Sequence, residues 1–124
     1  MRKLIICLVV LLTITGCAKA SVKEAISSNS KTVTSSEASS LIKDGAILVD
    51  VRTKEEYDEK HITDAVNIPL SEIEEGNIDY DKSTTIIVYC RSGNRSLSAV
   101  KKLIALGYTN VYDLGSINNW KETE

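Results

Sequence analysis

Thr84-Thr85-Ile86-Ile87-Val88-Tyr89-Cys90-Arg91-Ser92-Gly93-Asn94-Arg95-Ser96 decides how this chain is read. The β-branched run Ile86-Ile87-Val88 has the composition of a strand buried on both faces. A helical apolar pattern resumes at Leu97, Val100, Leu103 and Ile104. Cys90 to Arg95 therefore reads as a loop between strand and helix, with Ser96 closing it. Such a loop points backbone N–H groups at a common centre, and the following helix adds its positive end, so an anion is favoured there. Cys90 can itself be that anion, as a thiolate. Thiol pKa values fall at helix N-termini and beside cations, and Arg91 and Arg95 flank the site. The competing reading is an inert core cysteine, since free Cys packs well in cores. Its place at a strand end, beside Arg-Ser-Gly-Asn, argues for a nucleophile.

Working outward, strands are expected at Lys31–Thr34, Ile47–Val51, Ala65–Asn67, Thr85–Tyr89 and Asn110–Tyr112. Helices are expected to start at three capping boxes: Thr34 with Glu37, Thr53 with Glu56, and Ser71 with Glu74. Gly45 and Gly107 are placed to stop the first helix and the one after Cys90. Strands alternating with helices imply an α/β fold with a central parallel sheet of about five strands covered by helices on both faces. Ligands in such folds sit outside the carboxyl ends of the strands, where Cys90 falls. One domain, residues 31–124, is long enough to bury roughly two-thirds of its extended-chain surface.

The Cys90 loop resembles the active-site loop of rhodanese-domain sulfurtransferases, and the likeness extends on either side of it. Leu48-Val49-Asp50-Val51-Arg52, Glu56-Tyr57, His61-Ile62 and Ala65-Val66-Asn67-Ile68-Pro69-Leu70 are similar to that family's first signature in order and spacing. Asp113-Leu114-Gly115-Ser116 with Trp120 is similar to its closing turn and helix. Two departures stand out: Thr63-Asp64 where Pro-Gly is usual, and Ser116 where a second glycine is usual. Asp tolerates positive φ better than most residues, so the first change preserves the turn.

The resemblance implies that Cys90 attacks the outer sulfur of thiosulfate or a persulfide donor and carries it as a persulfide to cyanide or a thiol. The backbone of Arg91, Ser92, Gly93, Asn94, Arg95 and Ser96 would hold the anionic sulfur, and Arg91 and Arg95 would attract the donor. Asp50 and Arg52 would brace the site; a purely structural Asp–Arg pair fits them equally well. Glu56 is assigned to helix capping. His61 is assigned to a structural hydrogen bond in the His-Ile turn rather than to base catalysis, and Tyr57 and Trp120 to packing. With one His and one Cys in the domain, no metal or other cofactor is indicated.

The N-terminus answers a different question. Arg2-Lys3 precede nine apolar residues, Leu4 to Leu12, and small or polar residues then lead to Gly16-Cys17, which is the order of a signal peptide. So short a run cannot span a bilayer, which needs about twenty residues. Ile14-Thr15-Gly16-Cys17 resembles the bacterial lipoprotein cleavage box. Residues 1–16 would then be removed, Cys17 acylated, and residues 17–30 left as a Ser- and Asn-containing tether anchoring an extracytoplasmic domain to a cell membrane. The alternative is ordinary secretory cleavage with Cys17 incidental. Loss of Arg2 and Lys3 shifts the formal charge from −2 to −4, and no basic stripe suited to nucleic acid is present.

Cys90 would then be the lone cysteine of the folded domain. An unpaired cysteine outside the cytoplasm points to a reactive thiol. Three rivals to sulfur transfer remain. Phosphatases and arsenate reductases of the same fold use Cys-x-x-x-x-x-Arg, one residue longer than Cys90 to Arg95. A thiol redox protein would need a second, resolving cysteine. A non-catalytic or sulfur-carrier module would use the fold to present a surface.

Overall fold

The computed structural model describes residues 30–122. The expected signal peptide and Cys17 lie outside the described residues, as does nearly all of the tether. Its last residue, Ser30, belongs instead to the first strand. The strands are β1 (Ser30–Thr32), β2 (Ile47–Asp50), β3 (Val66–Asn67), β4 (Thr85–Cys90) and β5 (Asn110–Ser116). The helices are α1 (Ser35–Lys43), α2 (Lys54–Glu59), α3 (Leu70–Glu74) and α4 (Asn94–Ala105), followed by a 3₁₀ turn, Ile117–Asn119. The five strands form one sheet in the order β1-β5-β4-β2-β3, with every pairing parallel.

β4 lies at the centre because Ile86 to Cys90 is apolar on both faces, and each of these residues is fully buried. On one face Ile86, Val88 and Cys90 pack with Val49, Val51 and Val111 under Ile73 of α3 and Ala99, Val100 and Leu103 of α4. On the other, Ile87 and Tyr89 pack with Leu48 and Leu114 under Ala38 of α1, with Tyr57 of α2 at the margin. At about 1.5–3 kcal/mol for each fully buried aliphatic side chain, this two-sided burial fixes where β4 ends, and so where Cys90 stands.

Both Thr capping boxes form as expected: Thr34 with Glu37, and Thr53 with Glu56. Gly45 and Gly107, at φ +103° and +101°, follow the ends of α1 and α4. Asp64 adopts φ +68°, so the turn that departs from Pro-Gly is kept.

Three expectations are corrected. The Ser71 box does not form. α3 begins at Leu70 behind Pro69, because the Leu70 N–H already donates to the Val51 carbonyl at 3.0 Å and needs no side-chain cap. β5 runs four residues past Tyr112, because β4 continues beside it, pairing Tyr89 with Gly115 and Cys90 with Ser116 after a register shift. Tertiary pairing overrides the poor strand propensity of Asp, Gly and Ser there. The stretch after Cys90 is only half a loop. α4 starts at Asn94, so Arg91, Ser92 and Gly93 alone form the turn, while Asn94, Arg95 and Ser96 are its first helical residues.

Candidate active site

The turn is short because Gly93 sits at φ +98°, a left-handed conformation costly for a residue with a Cβ, and so reverses the chain within three residues. The Gly93 N–H donates to Cys90 Sγ at 2.9 Å. No side chain caps α4. Its first intrahelical bond runs from Leu97 N to the Gly93 carbonyl at 3.2 Å, so the Asn94, Arg95 and Ser96 N–H groups precede the helical ladder. Cys90 thus ends the central strand, fully buried, with one N–H on its sulfur and an uncapped helix start beside it. Both features stabilise negative charge on that sulfur.

The other loop side chains divide by role. Ser96 is fully buried, and its hydroxyl donates to the Gly93 carbonyl at 3.0 Å, fastening the turn to the helix. Ser92 and Asn94 are exposed. Arg95 is committed: its Nη1 and Nη2 donate to Glu56 Oε1 and Oε2 at 2.6 and 3.0 Å, a two-pronged pair. Arg91 is exposed and lines a cavity of about 380 Å³ with Arg52, Glu56, Glu59, Lys60, Ile117 and Asn118. Cys90 does not line it. Of the two loop arginines, Arg91 is the one turned to the cavity without a carboxylate partner among the described residues.

Asp50 and Arg52 form a buried ion pair, and Arg52 lines the same cavity as Arg91. Arg52 is 6% and Asp50 0% exposed. Asp50 accepts Arg52 Nη2 at 2.7 Å, Nε at 3.0 and 3.1 Å, and the Arg52 backbone N–H at 2.9 Å. The hydrogen bonds that Arg52 donates to Asp50 raise the Arg52 pKa further. Arg52 also donates to the Lys60 carbonyl and stands over the Tyr89 ring. Burial, with a smaller contribution from Asp50, raises the Tyr89 phenol well above its ordinary value. These contacts make the pair a buried structural unit at the ends of β2 and β4.

His61 Nδ1 meets the Tyr57 carbonyl at 2.8 Å, and its ring stacks on Tyr57 at 3.8 Å, as expected of a structural residue. Trp120 packs against the core as expected.

Sequence reasoning missed three contacts. Asn67 Nδ2 donates to the carbonyls of Asp50 and Arg52 at 3.0 and 2.9 Å, tying β3 to the end of β2. Ser116 Oγ donates to the Arg91 carbonyl at 2.6 Å. Glu56 does more than cap α2, since the same carboxylate holds Arg95. A capping box is legible locally, but a partner 39 residues away is not.

The Arg95 hydrogen bond is the main reason why the Glu56 carboxyl is held at about 2, and the same contact raises the Arg95 guanidinium. A carboxyl depressed on folding stabilises fully above its unfolded value of 4.5, and that stability fades as pH falls toward about 2. Glu56→Gln keeps the capping geometry but removes the charge. For this partly exposed pair the cost is about 1 kcal/mol near pH 7, or a Tm lower by roughly 4–8 °C. The gap between wild type and variant should narrow steadily below pH 4.5. Melting curves at pH 7, 4 and 2.5 check it, and a gap that does not change with pH would contradict the assignment.

Residues 34–123 match the rhodanese-like domain family. The chain belongs to that family. Within it, the chain is 38% identical over 73 residues to thiosulfate sulfurtransferase PspE of Escherichia coli (strain K12), covering 57% of this chain and 70% of that protein. It is 33% identical over 93 residues to thiosulfate sulfurtransferase GlpE of Coxiella burnetii (strain RSA 331 / Henzerling II), covering 73% and 87%. It spans only 19% of a longer match, an adenylyltransferase and sulfurtransferase from the yeast Ogataea parapolymorpha. Among solved structures, the human single-domain sulfurtransferase superposes with a TM-score of 0.67 at 31% identity, covering 74% of this chain and 97% of its own. Rhodanese membership agrees with the expected fold, a single α/β domain on a five-stranded parallel sheet.

Proposed function

We propose that this rhodanese-like domain is a sulfurtransferase that moves sulfane sulfur through a Cys90 persulfide. The Gly93 N–H at 2.9 Å from Cys90 Sγ, beside the uncapped start of α4, carries the reading. In the first step the Cys90 thiolate attacks the outer sulfur of thiosulfate. A sulfur–sulfur bond forms to Cys90, the bond to the sulfonate sulfur breaks, and its electron pair leaves with sulfite. The persulfide is again an anion and is held by the same N–H groups. In the second step cyanide or a thiolate attacks the terminal sulfur, and the electron pair returns to Cys90. Arg91 attracts the dianionic donor electrostatically; Arg95, bound to Glu56, shapes the helix start instead.

The relatives named thiosulfate sulfurtransferases support this choice of donor. Retention of the cysteine, with an N–H aimed at its sulfur, favours catalysis over a purely presenting module. Cys90 to Arg95 is one residue shorter than Cys-x-x-x-x-x-Arg, which disfavours phosphatase and arsenate-reductase chemistry. Purified protein mixed with thiosulfate and cyanide should release thiocyanate with ping-pong kinetics. Turnover of an aryl phosphate at a comparable rate, without thiocyanate, would overturn the reading.

We further propose that the domain works at a bacterial cell surface or in the envelope, anchored through acylated Cys17. β1 begins at the end of the parallel sheet opposite the carboxyl end of β4, so the chain reaches Ser30 on the side of the sheet away from Cys90. The expected result is a mature N-terminal peptide starting at diacylated or triacylated Cys17, with the protein in the membrane fraction. Mass spectrometry of that peptide decides it. An unmodified Cys17 or a fully soluble product would refute the anchor.

A further inference from the structure

Ser116 stands where the resemblance leads one to expect a glycine, and its hydroxyl is fully used. It is the last residue of β5, level with Cys90 across the β4–β5 pairing. Its oxygen accepts the Asn118 N–H at 3.1 Å, and its single proton goes to the Arg91 carbonyl at 2.6 Å. The strand end that carries it is itself fastened. The Gly115 N–H donates to Asp113 Oδ1 at 2.8 Å, and Asn119 Nδ2 donates to the Leu114 carbonyl at 2.8 Å. The hydroxyl is thus a fixed point presented to the turn.

We infer that Ser116 is a positioning residue that locks the Arg91–Ser92 peptide and thereby the Gly93 N–H on the Cys90 sulfur. The inference rests on the sulfurtransferase reading of that site. A trans peptide is planar, with its C=O and N–H pointing opposite ways. Anchoring the Arg91 carbonyl on Ser116 therefore directs the Ser92 N–H away from β5. The turn has only three residues, and its far end is fixed by the Gly93 N–H on Sγ. The Arg91–Ser92 peptide lies between, and the Ser116 hydroxyl holds its carbonyl. Without that hydroxyl the exposed Arg91–Ser92 peptide can rotate, and because the next peptide carries the Gly93 N–H, that rotation shifts the donor off the Cys90 sulfur and raises the energy of thiolate and persulfide alike.

Ser116 has ordinary extended angles, φ −81° and ψ 141°, so alanine and threonine fit its backbone without strain. Ser116→Ala should therefore keep the fold, melting only a few degrees below wild type through loss of the Arg91 and Asn118 hydrogen bonds. Its Cys90 should react with iodoacetamide at neutral pH about fivefold more slowly, the effect of losing one hydrogen bond. Its kcat for thiosulfate should fall by a similar factor with KM unchanged. Ser116→Thr, which keeps the hydroxyl, should restore both. The alkylation rate does not depend on sulfur transfer, so it decides the role of Ser116 even in a protein that makes no thiocyanate. Wild-type alkylation by Ser116→Ala, or a loss in Ser116→Thr as large as in the alanine variant, would overturn the inference.

Discussion

Cys90→Ser is expected to lower thiocyanate formation by at least about a thousandfold while the protein melts within a few degrees of wild type. A hydroxyl occupies nearly the same space at the end of β4 and accepts the same Gly93 N–H, so the turn survives. It cannot serve, because it is scarcely ionised at neutral pH and oxygen cannot hold sulfane sulfur as a transferable anion. The comparison isolates chemistry from folding in a way that removal of the whole turn would not. Residual activity above about one per cent in the serine variant would mean that another group takes the sulfur.

The second large effect concerns stability. Arg52→Met removes three of the four donor contacts to a fully buried Asp50 carboxylate and leaves the Arg52 backbone N–H at 2.9 Å. Breaking a buried pair from one side costs about 3–5 kcal/mol, because the remaining charge is uncompensated. Against a total stability of roughly 5–15 kcal/mol, that is a large fraction. Tm should fall by roughly 15 °C or more. Adding Asp50→Asn should recover part of the loss, since the stranded charge is then gone. Denaturant titration of the two variants tests this. A single variant within about 1 kcal/mol of wild type would show that Asp50 finds another partner.

What was legible in the sequence was local or periodic. Ile86-Ile87-Val88 announced a doubly buried central strand. Thr34 and Thr53 announced their helix starts, each with Glu three residues on, and Gly45 and Gly107 followed the expected helix ends. The same local rule failed at Ser71, because the motif says nothing of the Val51 carbonyl that already accepts the Leu70 N–H. The helix start at Asn94 was hidden for a related reason. Its first turn carries polar Asn94, Arg95 and Ser96, so an apolar pattern detects it only from Leu97, although Gly93 marks the reversal that precedes it.

Within the site, the position of Cys90 and the Asp50–Arg52 pair could be expected from residue order and family likeness. The division of labour between the two arginines could not. Both follow Cys90 in a polar loop, and only the tertiary approach of α2 to α4 commits Arg95 to Glu56 while Arg91 faces the cavity. Ser116 registered as a departure from a pattern, but its contact with the Arg91 carbonyl depends on β5 running beside β4 as far as Cys90.

Mass spectrometry of the protein after brief exposure to thiosulfate, without an acceptor, tests persulfide transfer most directly. The expected result is one added sulfur, located on the Cys90 peptide and removed by cyanide. An unchanged mass at Cys90, or sulfur added elsewhere in the chain, would contradict it.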